Sequence, residues 1–336
     1  MNLRERVVQA LNFQQTSPLP YTLPMEPEII SMLNQYYGST NWQTQIHNHI
    51  GLVRMPALGL PVADQSQIID LFGSTWRTDH NPAHLIEPVL SQPSLDGYRF
   101  PTLEDFWDED ILQIQIDEAK EKGQFIVATT GLGLFERSWA MRGFENALTD
   151  MLLNPDFYHA LLDEILNFQI DYIQRLGSLS IDAVLLSDDW GDQRSVIMGP
   201  RLWKKFFKSR AEQFFSAVHA MDKWTIQHSC GNVFPILGEM IDIGLDILES
   251  VQPEAMDIYE IKRQYGSQLR LWGGLGTQHL LPFGSPGQIF DEIARLRNEI
   301  GKNGGYILSP AKPVMPEVPL ENVLAVLEAF EIQVSV

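Results

Sequence analysis

The chain has 336 residues, 44% of them hydrophobic and 10% aromatic, which is enough for one large domain or two smaller ones. Its 43 acidic residues outnumber the 24 basic ones, and the net charge of −19 excludes nucleic acids and anionic membranes as main partners, since both are bound by clustered Lys and Arg. A single cysteine excludes an internal disulfide, and no signal peptide or membrane span is evident, so we expect a cytoplasmic protein.

The first hundred residues combine helices with short strands. An amphipathic helix is predicted over residues 3–13, a short strand at Tyr21-Thr22-Leu23, and a second helix that Pro27 opens. Residues 41–51 are interpreted as a helix. The pattern of residues 70–98, with a polar turn in its middle, predicts a β-hairpin excursion and not a separate domain.

A regular alternation of strands and helices begins at residue 125. Short apolar strands are predicted at 125–129, 182–189, 223–230, 246–250, 269–273 and 304–308. The segments between them have helical periodicity, and Ser285-Pro286-Gly287-Gln288 begins one helix as a capping box. With Tyr21-Thr22-Leu23 there are seven strands, and we expect an eighth within residues 43–76.

This alternation predicts a parallel sheet covered by helices on both faces. Eight strands with polar residues at their ends favour a (β/α)8 TIM-type barrel, in which the site is built at the carboxyl ends of the strands. A doubly wound sheet is the alternative, but no G-x-G-x-x-G fingerprint follows a strand and opens a helix. We therefore predict one α/β barrel domain over residues 1–336, with an N-terminal helical segment and the hairpin excursion.

The only cysteine follows a histidine by two positions, in Ile226-Gln227-His228-Ser229-Cys230-Gly231. Side chains alternate along a strand, so His228 and Cys230 project from the same face, just before Gly231 ends the strand. An imidazole nitrogen and a thiolate form half of a tetrahedral zinc site. The alternative is that Cys230 is a small buried hydrophobe and His228 a core histidine, since two ligands alone do not hold a structural zinc.

Other polar or aromatic residues also follow predicted strands. Asp188 and Asp189 are candidate catalytic residues, but adjacent side chains on a strand face opposite ways, so only one can point into the barrel mouth. The alternative is that one of them caps the following helix. Gln252 and Gln278 are candidate substrate ligands, with the alternative that they tie barrel loops together. Trp190 is a candidate to line a pocket for a flat ring.

Several segments resemble the uroporphyrinogen decarboxylase superfamily. They are Ser187-Asp188-Asp189-Trp190-Gly191-Asp192-Gln193, Gln227-His228-Ser229-Cys230-Gly231-Asn232, Gly273-Gly274-Leu275-Gly276-Thr277-Gln278, Gly304-Gly305-Tyr306-Ile307-Leu308-Ser309-Pro310 and Pro319-Leu320-Glu321-Asn322-Val323. In order and spacing, the resemblance covers most of residues 1–331. It implies a distorted (β/α)8 barrel, in agreement with the strand count.

The branch of this superfamily is indicated by two segments. The decarboxylases carry an arginine-bearing loop after the first strand, which grips the carboxylates of the tetrapyrrole. Here that loop is acidic, Leu23-Pro24-Met25-Glu26-Pro27-Glu28. The His-x-Cys-Gly motif is instead similar to the cobalamin-dependent methyltransferase branch, which includes coenzyme M methyltransferases and aromatic O-demethylases.

This second resemblance implies a zinc ion, a corrinoid (cobalamin) carried by a partner protein, and transfer of a methyl group between a small substrate and that corrinoid. Barrels of the superfamily often pair, so the resemblance is also compatible with a homodimer, although the sequence does not give the oligomeric state. Two alternatives stay open: a decarboxylase of porphyrin biosynthesis that uses no metal, and a catalytically silent barrel that binds a corrinoid or its carrier.

The sequence departs from that branch at one ligand. Coenzyme M members supply a second cysteine after the last strand, where this chain has Ser309-Pro310-Ala311-Lys312-Pro313. Lys312 therefore replaces the ligand and is a candidate cation that anchors an acidic substrate group, paired with a carboxylate, or else a surface charge. A third metal ligand would be oxygen or nitrogen, with Glu26 first because of its strand-end position. The other candidates are Asp188, Glu249 and His279.

Overall fold

The computed structural model of the chain describes residues 1–55, 59–61, 66–79 and 83–332. Its strands are β1 (Ile50–Val53), β2 (Gly59–Pro61), β3 (Gln67–Asp70), β4 (Thr75–Arg77), β5 (His84–Glu87), β6 (Phe125–Leu132), β7 (Ala183–Ser187), β8 (Trp224–His228), β9 (Ile247–Val251), β10 (Arg270–Leu275) and β11 (Tyr306–Pro310). Within the described residues, these strands form a seven-stranded parallel sheet and a four-stranded antiparallel one.

Helices connect and cover the strands. They are α1 (Leu3–Leu11), α2 (Pro27–Tyr37), α3 (Glu109–Glu121), α4 (Leu134–Arg142), α5 (Phe144–Leu153), α6 (Pro155–Leu176), α7 (Gly199–Phe206), α8 (Lys208–His219), α9 (Phe234–Asp242), α10 (Ile258–Tyr265), α11 (Leu280–Phe283), α12 (Pro286–Arg295) and α13 (Leu320–Ala329). The predicted capping box is confirmed at α12, where Ser285 accepts from Gln288 N and the Gln288 side chain reciprocates. None of the helices described here is long and apolar enough to cross a membrane.

The parallel strands follow one another around a barrel in the order β1-β6-β7-β8-β9-β10-β11. The predicted strand at Tyr21 fills the gap between β11 and β1: Thr22 N donates to Leu308 O at 3.0 Å, and His49 N donates to Tyr21 O at 2.9 Å. The eighth strand expected within residues 43–76 is β1. The predicted TIM-type fold is therefore confirmed, and it is distorted because the Tyr21 segment pairs through single bridges only.

Two local predictions differ from the structure. Residues 41–51 form a short 3₁₀ helix, Asn41–Gln45, followed by β1, because Ile50 and Val53 are buried where β1 pairs with β6. The predicted hairpin corresponds to β4 and β5, but β2 and β3 extend it to a four-stranded sheet. Pro61 hides β2 in the sequence, although proline is tolerated at a sheet edge. Part of the predicted polar turn, residues 80–82, lies outside the described residues.

The antiparallel sheet is attached to the barrel by an ion pair. Arg137 of α4 donates from Nη1 to Asp70 Oδ2 of β3 at 2.7 Å, and both side chains are 14% exposed. The same oxygen accepts from Trp76 Nε1 at 3.0 Å. The excursion is thus joined to the helix that follows β6, close to the carboxyl end of the barrel.

The barrel interior has its own apolar core, which shows which strand residues face inward. Leu185 of β7, Ile226 of β8 and Ile247 of β9 belong to it, and Val7 and Leu11 of α1 close it at the amino end. Because side chains alternate along a strand, Asp189, His228, Cys230 and Glu249 also face the barrel axis. These four residues lie above the core, at the carboxyl ends of three neighbouring strands.

His49, beside α1, is expected to make the fold acid-sensitive. Its ring is 1% exposed, and burial, followed by the charge of Arg6, lowers its pKa to about 4. Between pH 6.5 and pH 4, His49 binds a proton in the unfolded chain but stays neutral in the folded chain. The free energy of unfolding therefore decreases as the pH falls, by up to about 3 kcal/mol. Denaturant unfolding at pH 7 and pH 4.5 should show a smaller loss for His49→Gln than for the native chain. Equal losses would contradict this assignment.

Candidate metal centre

The candidate site is built from three neighbouring strands that end at the same level. In the sheet, Ser187 of β7 is in register with His228 of β8, and His228 with Glu249 of β9. Asp189 follows β7 and Cys230 follows β8, each two residues beyond that register and on the same inward face. The strand pairing therefore brings two carboxylates, an imidazole and the only thiol to one side of the barrel mouth.

Three of these residues offer ligand atoms close enough to share one metal ion. Asp189, His228 and Cys230 each present an atom within 4.8 Å of the other two. His228 Nε2 lies 3.4 Å from Asp189 Oδ1 and 3.7 Å from Cys230 Sγ. In the described part of the chain, no other group of three His, Cys, Asp or Glu residues meets this condition. Oxygen, nitrogen and sulfur donors together are a typical zinc set.

Glu249 fixes the orientation of the histidine. Its Oε2 lies 2.5 Å from His228 Nδ1, so the other ring nitrogen, Nε2, points toward Asp189 and Cys230. Burial lowers the pKa of His228, but the charge of Glu249 and the hydrogen bonds to Asp189 and Cys230 outweigh it and raise the pKa well above its usual value. A metal ion must therefore displace a proton from Nε2 in order to bind.

Asp189 is held in its ionised form at the same place. Burial acts to raise its pKa, but the hydrogen bond and charge of His228, together with the Cys230 N–H, lower it below the usual value. Cys230 N donates to Asp189 Oδ1 at 2.7 Å. An ionised carboxylate is the form that binds metal, so Asp189 is ready to act as a ligand.

Asp188 faces away from the mouth and braces the neighbouring helix. It is fully buried and accepts from Phe135 N at 2.9 Å, Glu136 N at 2.8 Å and Trp190 Nε1 at 2.7 Å. Burial outweighs these hydrogen bonds and raises its pKa to about 7. From the sequence, one of the two aspartates is expected to cap the helix that follows in the chain; Asp188 instead accepts from the first turn of α4, the helix after the neighbouring strand β6. Its oxygens are occupied by these buried donors and, among the described residues, make no contact in the mouth.

A backbone contact between two loops sets the distance between the ligands. Gly231, after Cys230, has a positive φ of 72°, and a Cβ at this position would lie 2.3 Å from the carbonyl carbon of Gly191. Asn232 N donates to Asp192 O at 2.7 Å beside this contact. Only glycine permits both the conformation and the close approach. The loops that carry Asp189 and Cys230 are thereby held together.

Three residues predicted to bind substrate serve other contacts. Gln252 is 3% exposed and accepts from Gly231 N at 3.0 Å, while Gln278 accepts from Gln193 Nε2 at 3.1 Å. Both glutamines tie barrel loops together, which was the alternative interpretation of the sequence. Trp190 is fully buried with its ring 5.5 Å from that of Trp203, so its assignment to a substrate pocket is wrong.

Glu26 lies outside the three-ligand cluster, and Asp189 takes the place predicted for it. The strand order explains the error. Glu26 follows the Tyr21 segment, which lies between β11 and β1, four positions around the barrel from β8. His228 therefore stands on the opposite wall. The strand-end position of Glu26 correctly predicted that it lies at the carboxyl end of the barrel, but not that it lies across the mouth from His228.

Lys312 and His279 are both exposed. Lys312 lies in the loop after β11, and it forms no ion pair with a carboxylate that the structure describes, contrary to the pairing expected from the sequence. His279 follows β10 and is not part of the metal-ligand cluster. Neither residue adds a fourth ligand to the cluster in this conformation.

Glu136 is a site residue that the sequence analysis missed. It lies in the first turn of α4, and burial, followed by the charges of Asp188 and Asp189, raises its pKa to about 8. The carboxyl is therefore largely protonated near neutral pH and can donate a hydrogen bond. Its position shortly after β6 was the available signal, because the carboxyl ends of parallel strands meet at one edge.

Comparisons with known proteins give one family and two kinds of relative. The family described as uroporphyrinogen decarboxylase (URO-D) matches residues 135–332. A methylcobamide:CoM methyltransferase MtaA of Methanosarcina barkeri is 29% identical over 175 residues, which cover 52% of this chain and 48% of the relative. A uroporphyrinogen decarboxylase of Coxiella burnetii is 24% identical over 197 residues, covering 56% and 51%. The chain thus spans about half the length of the curated relatives it matches.

The fold is shared with a solved structure over nearly the whole chain. A methyltransferase from Methanosarcina mazei superposes with a TM-score of 0.72 and 21% identity, covering 98% of both chains. At this identity the likeness concerns the architecture. It extends the match to the N-terminal part of the barrel, which precedes the residues matched by the family.

Proposed function

Because the chain belongs to the uroporphyrinogen decarboxylase (URO-D) family and combines its barrel with a thiol-containing ligand cluster, we propose that it is a methyltransferase of a corrinoid-dependent system. It would move a methyl group between a small substrate and a corrinoid carried by a partner protein. Relatives named methylcobamide:CoM methyltransferase support this choice, at 29% and 30% identity.

The observation that carries the proposal is the grouping of Cys230 Sγ with His228 Nε2 and Asp189 Oδ1. A decarboxylase acting on a tetrapyrrole needs cations that hold several carboxylates, and bidentate arginine is suited to that task. The loop after the first strand offers Glu26 and Glu28 instead. The acidic loop and the thiol cluster both favour methyl transfer over decarboxylation.

The residues present fit a zinc ion. Asp189, His228 and Cys230 supply three ligands and leave a fourth position open, which is the arrangement of catalytic zinc sites. Glu249 at His228 Nδ1 is the carboxylate partner that such histidines usually have. When bound, zinc would supply a Lewis acid that lowers the pKa of a thiol or alcohol in the open position.

The surrounding residues of the chain would orient the substrate. Glu249 holds the Nδ1 proton and so keeps Nε2 directed at the ligand cluster. Glu136, protonated near neutral pH, can donate a hydrogen bond to a polar group beside Asp189. Lys312 and Glu26, which follow neighbouring strands on the far side of the mouth, would contact the distal part of the substrate or the corrinoid protein.

The proposal is tested by metal content and methyl transfer. Protein purified without a chelating resin should contain about one zinc per chain by elemental analysis. Methylcobalamin should lose its methyl group to one of a panel of small thiols and alcohols, followed by the change in corrinoid absorbance, with heat-inactivated protein as the control. Absence of zinc and of methyl transfer would overturn the proposal. Conversion of uroporphyrinogen to coproporphyrinogen above the heat-inactivated control would assign the chain to the decarboxylases.

A further inference from the structure

A cavity lies at the opposite end of the barrel from the metal-ligand cluster. It has a volume of about 330 Å³ and lies beside α1, next to the residues that precede β1. We call it the floor cavity. Its polar and charged lining residues are Arg6, Tyr21, Gln45, His47, His49, Arg297 and Glu331. A pocket near the small end of the range of ligand sites suits a small molecule.

Arg6 is the guanidinium group of this cavity that has no carboxylate partner among the described residues. Within the described residues its side chain makes one polar contact, from Nη1 to His49 Nε2 at 3.1 Å, and its Nε is buried without a hydrogen-bond acceptor. No carboxylate among the described residues lies within salt-bridge distance of it, although the chain has 43 acidic residues. A buried guanidinium N–H without an acceptor is costly, and a bound anion would remove that cost.

His49 does not neutralise or fully satisfy Arg6. Its Nδ1 lies 3.3 Å from Tyr21 N, and its Nε2 faces Arg6, so N–H donors approach both ring nitrogens. A neutral imidazole accepts through only one nitrogen. Burial lowers the pKa of His49 to about 4, so the ring is neutral at physiological pH and brings no negative charge to the guanidinium.

Other groups in the floor cavity can also donate to an anion. Arg297 is 27% exposed and binds Glu331 through Nη1 at 2.8 Å, which leaves its other N–H groups available. The Tyr21 hydroxyl accepts from His47 N at 3.0 Å and keeps its own proton to donate, since burial raises its pKa. Two guanidinium groups face one carboxylate here, so the charge in the cavity is positive although the whole chain is strongly negative.

We propose that the floor cavity binds a small anion carrying a phosphate or carboxylate group, with Arg6 as its principal ligand. Guanidinium binds both groups through paired, charge-assisted hydrogen bonds. The cavity volume admits a small organic anion. This binding site is separate from the site proposed for methyl transfer. The floor cavity lies near the amino ends of the strands, and the metal-ligand cluster lies at their carboxyl ends.

Binding is tested by isothermal titration of the full chain with inorganic phosphate and, separately, with succinate, at constant ionic strength set by chloride. The native chain should bind one of the two saturably, and the tighter probe identifies the anion class. Arg6→Gln should weaken binding at least about tenfold, because a charge-assisted pair is lost. Arg4→Gln is the matched control: it removes the same charge from α1, but Arg4 is 52% exposed and paired with Asp182 outside the cavity.

Two results would overturn the proposal. One is the absence of saturable binding of either anion by the native chain. The other is equal affinity in the native, Arg4→Gln and Arg6→Gln proteins, which would place the anion elsewhere, for example at a bound metal. If Arg6→Gln does not fold, Arg6→Lys decides instead, since lysine keeps the charge but loses the paired geometry and should bind the anion more weakly than the native chain.

Discussion

Replacing Cys230 with serine is expected to lower zinc affinity at least about 100-fold, because thiolate is the softest and strongest ligand in the cluster. The fold should remain intact, since the Cys230 side chain is only half-buried and its Sγ contacts His228 at 3.7 Å. Methyl transfer should fall with the metal content. Zinc competition against a chromogenic chelator measures the affinity, and thermal unfolding of the same samples reports on the fold.

Glu26→Gln is the control for this prediction. It also removes one potential ligand, but from a residue on the opposite wall of the barrel, outside the three-ligand cluster. Zinc affinity should therefore equal that of the native chain. Zinc affinity that is unchanged in Cys230→Ser, or lowered in Glu26→Gln, would show that the metal site is not the one formed by Asp189, His228 and Cys230.

Replacing the two adjacent aspartates with alanine is expected to affect two different properties of the protein. Asp188→Ala should lower the free energy of unfolding by about 3 kcal/mol, because three buried donors, Phe135 N, Glu136 N and Trp190 Nε1, lose their acceptor. Asp189→Ala should instead lower zinc affinity at least about tenfold, since it removes one of three ligands, with only a small change in stability.

Denaturant unfolding and chelator competition on the same two variants separate these effects. Each variant is the control for the other, because both remove one carboxylate from neighbouring positions. A stable Asp188→Ala protein that loses zinc would mean that Asp188 reaches the mouth in solution. An unstable Asp189→Ala protein with normal zinc affinity would show that Asp189 has a structural role and is not a metal ligand.

Strand periodicity predicted the inward-facing part of the site correctly. The two-residue spacing of His228 and Cys230 places both above Ile226, which belongs to the barrel core. The same periodicity predicted that only one of Asp188 and Asp189 faces the mouth. These arguments succeeded because they depend on a single strand, whose alternation is set by backbone geometry alone.

Predictions that required the positions of different strands relative to one another failed more often. The strand-end position of Glu26 favours it as a metal ligand, but that position does not say where around the barrel the Tyr21 segment lies relative to β8. Asp189 was considered for catalysis and not as a ligand, and Glu249 as a ligand and not as the partner of His228 Nδ1. Both assignments depend on strand register, which the residues themselves do not reveal.

The contact between Gly191 and Gly231 has a consequence for the choice of metal. It lies directly beyond Asp189 and Cys230, and the backbones there are too close for any side chain. The ligand oxygen and sulfur come from two different strands, so this contact limits how far they can move apart. If the proposed metal binds here, we expect ions much larger than zinc to fit poorly, because the loops that carry Asp189 and Cys230 are joined by this contact and by the Asn232–Asp192 hydrogen bond. The backbone would then contribute to the choice of metal in addition to the chemistry of the ligands.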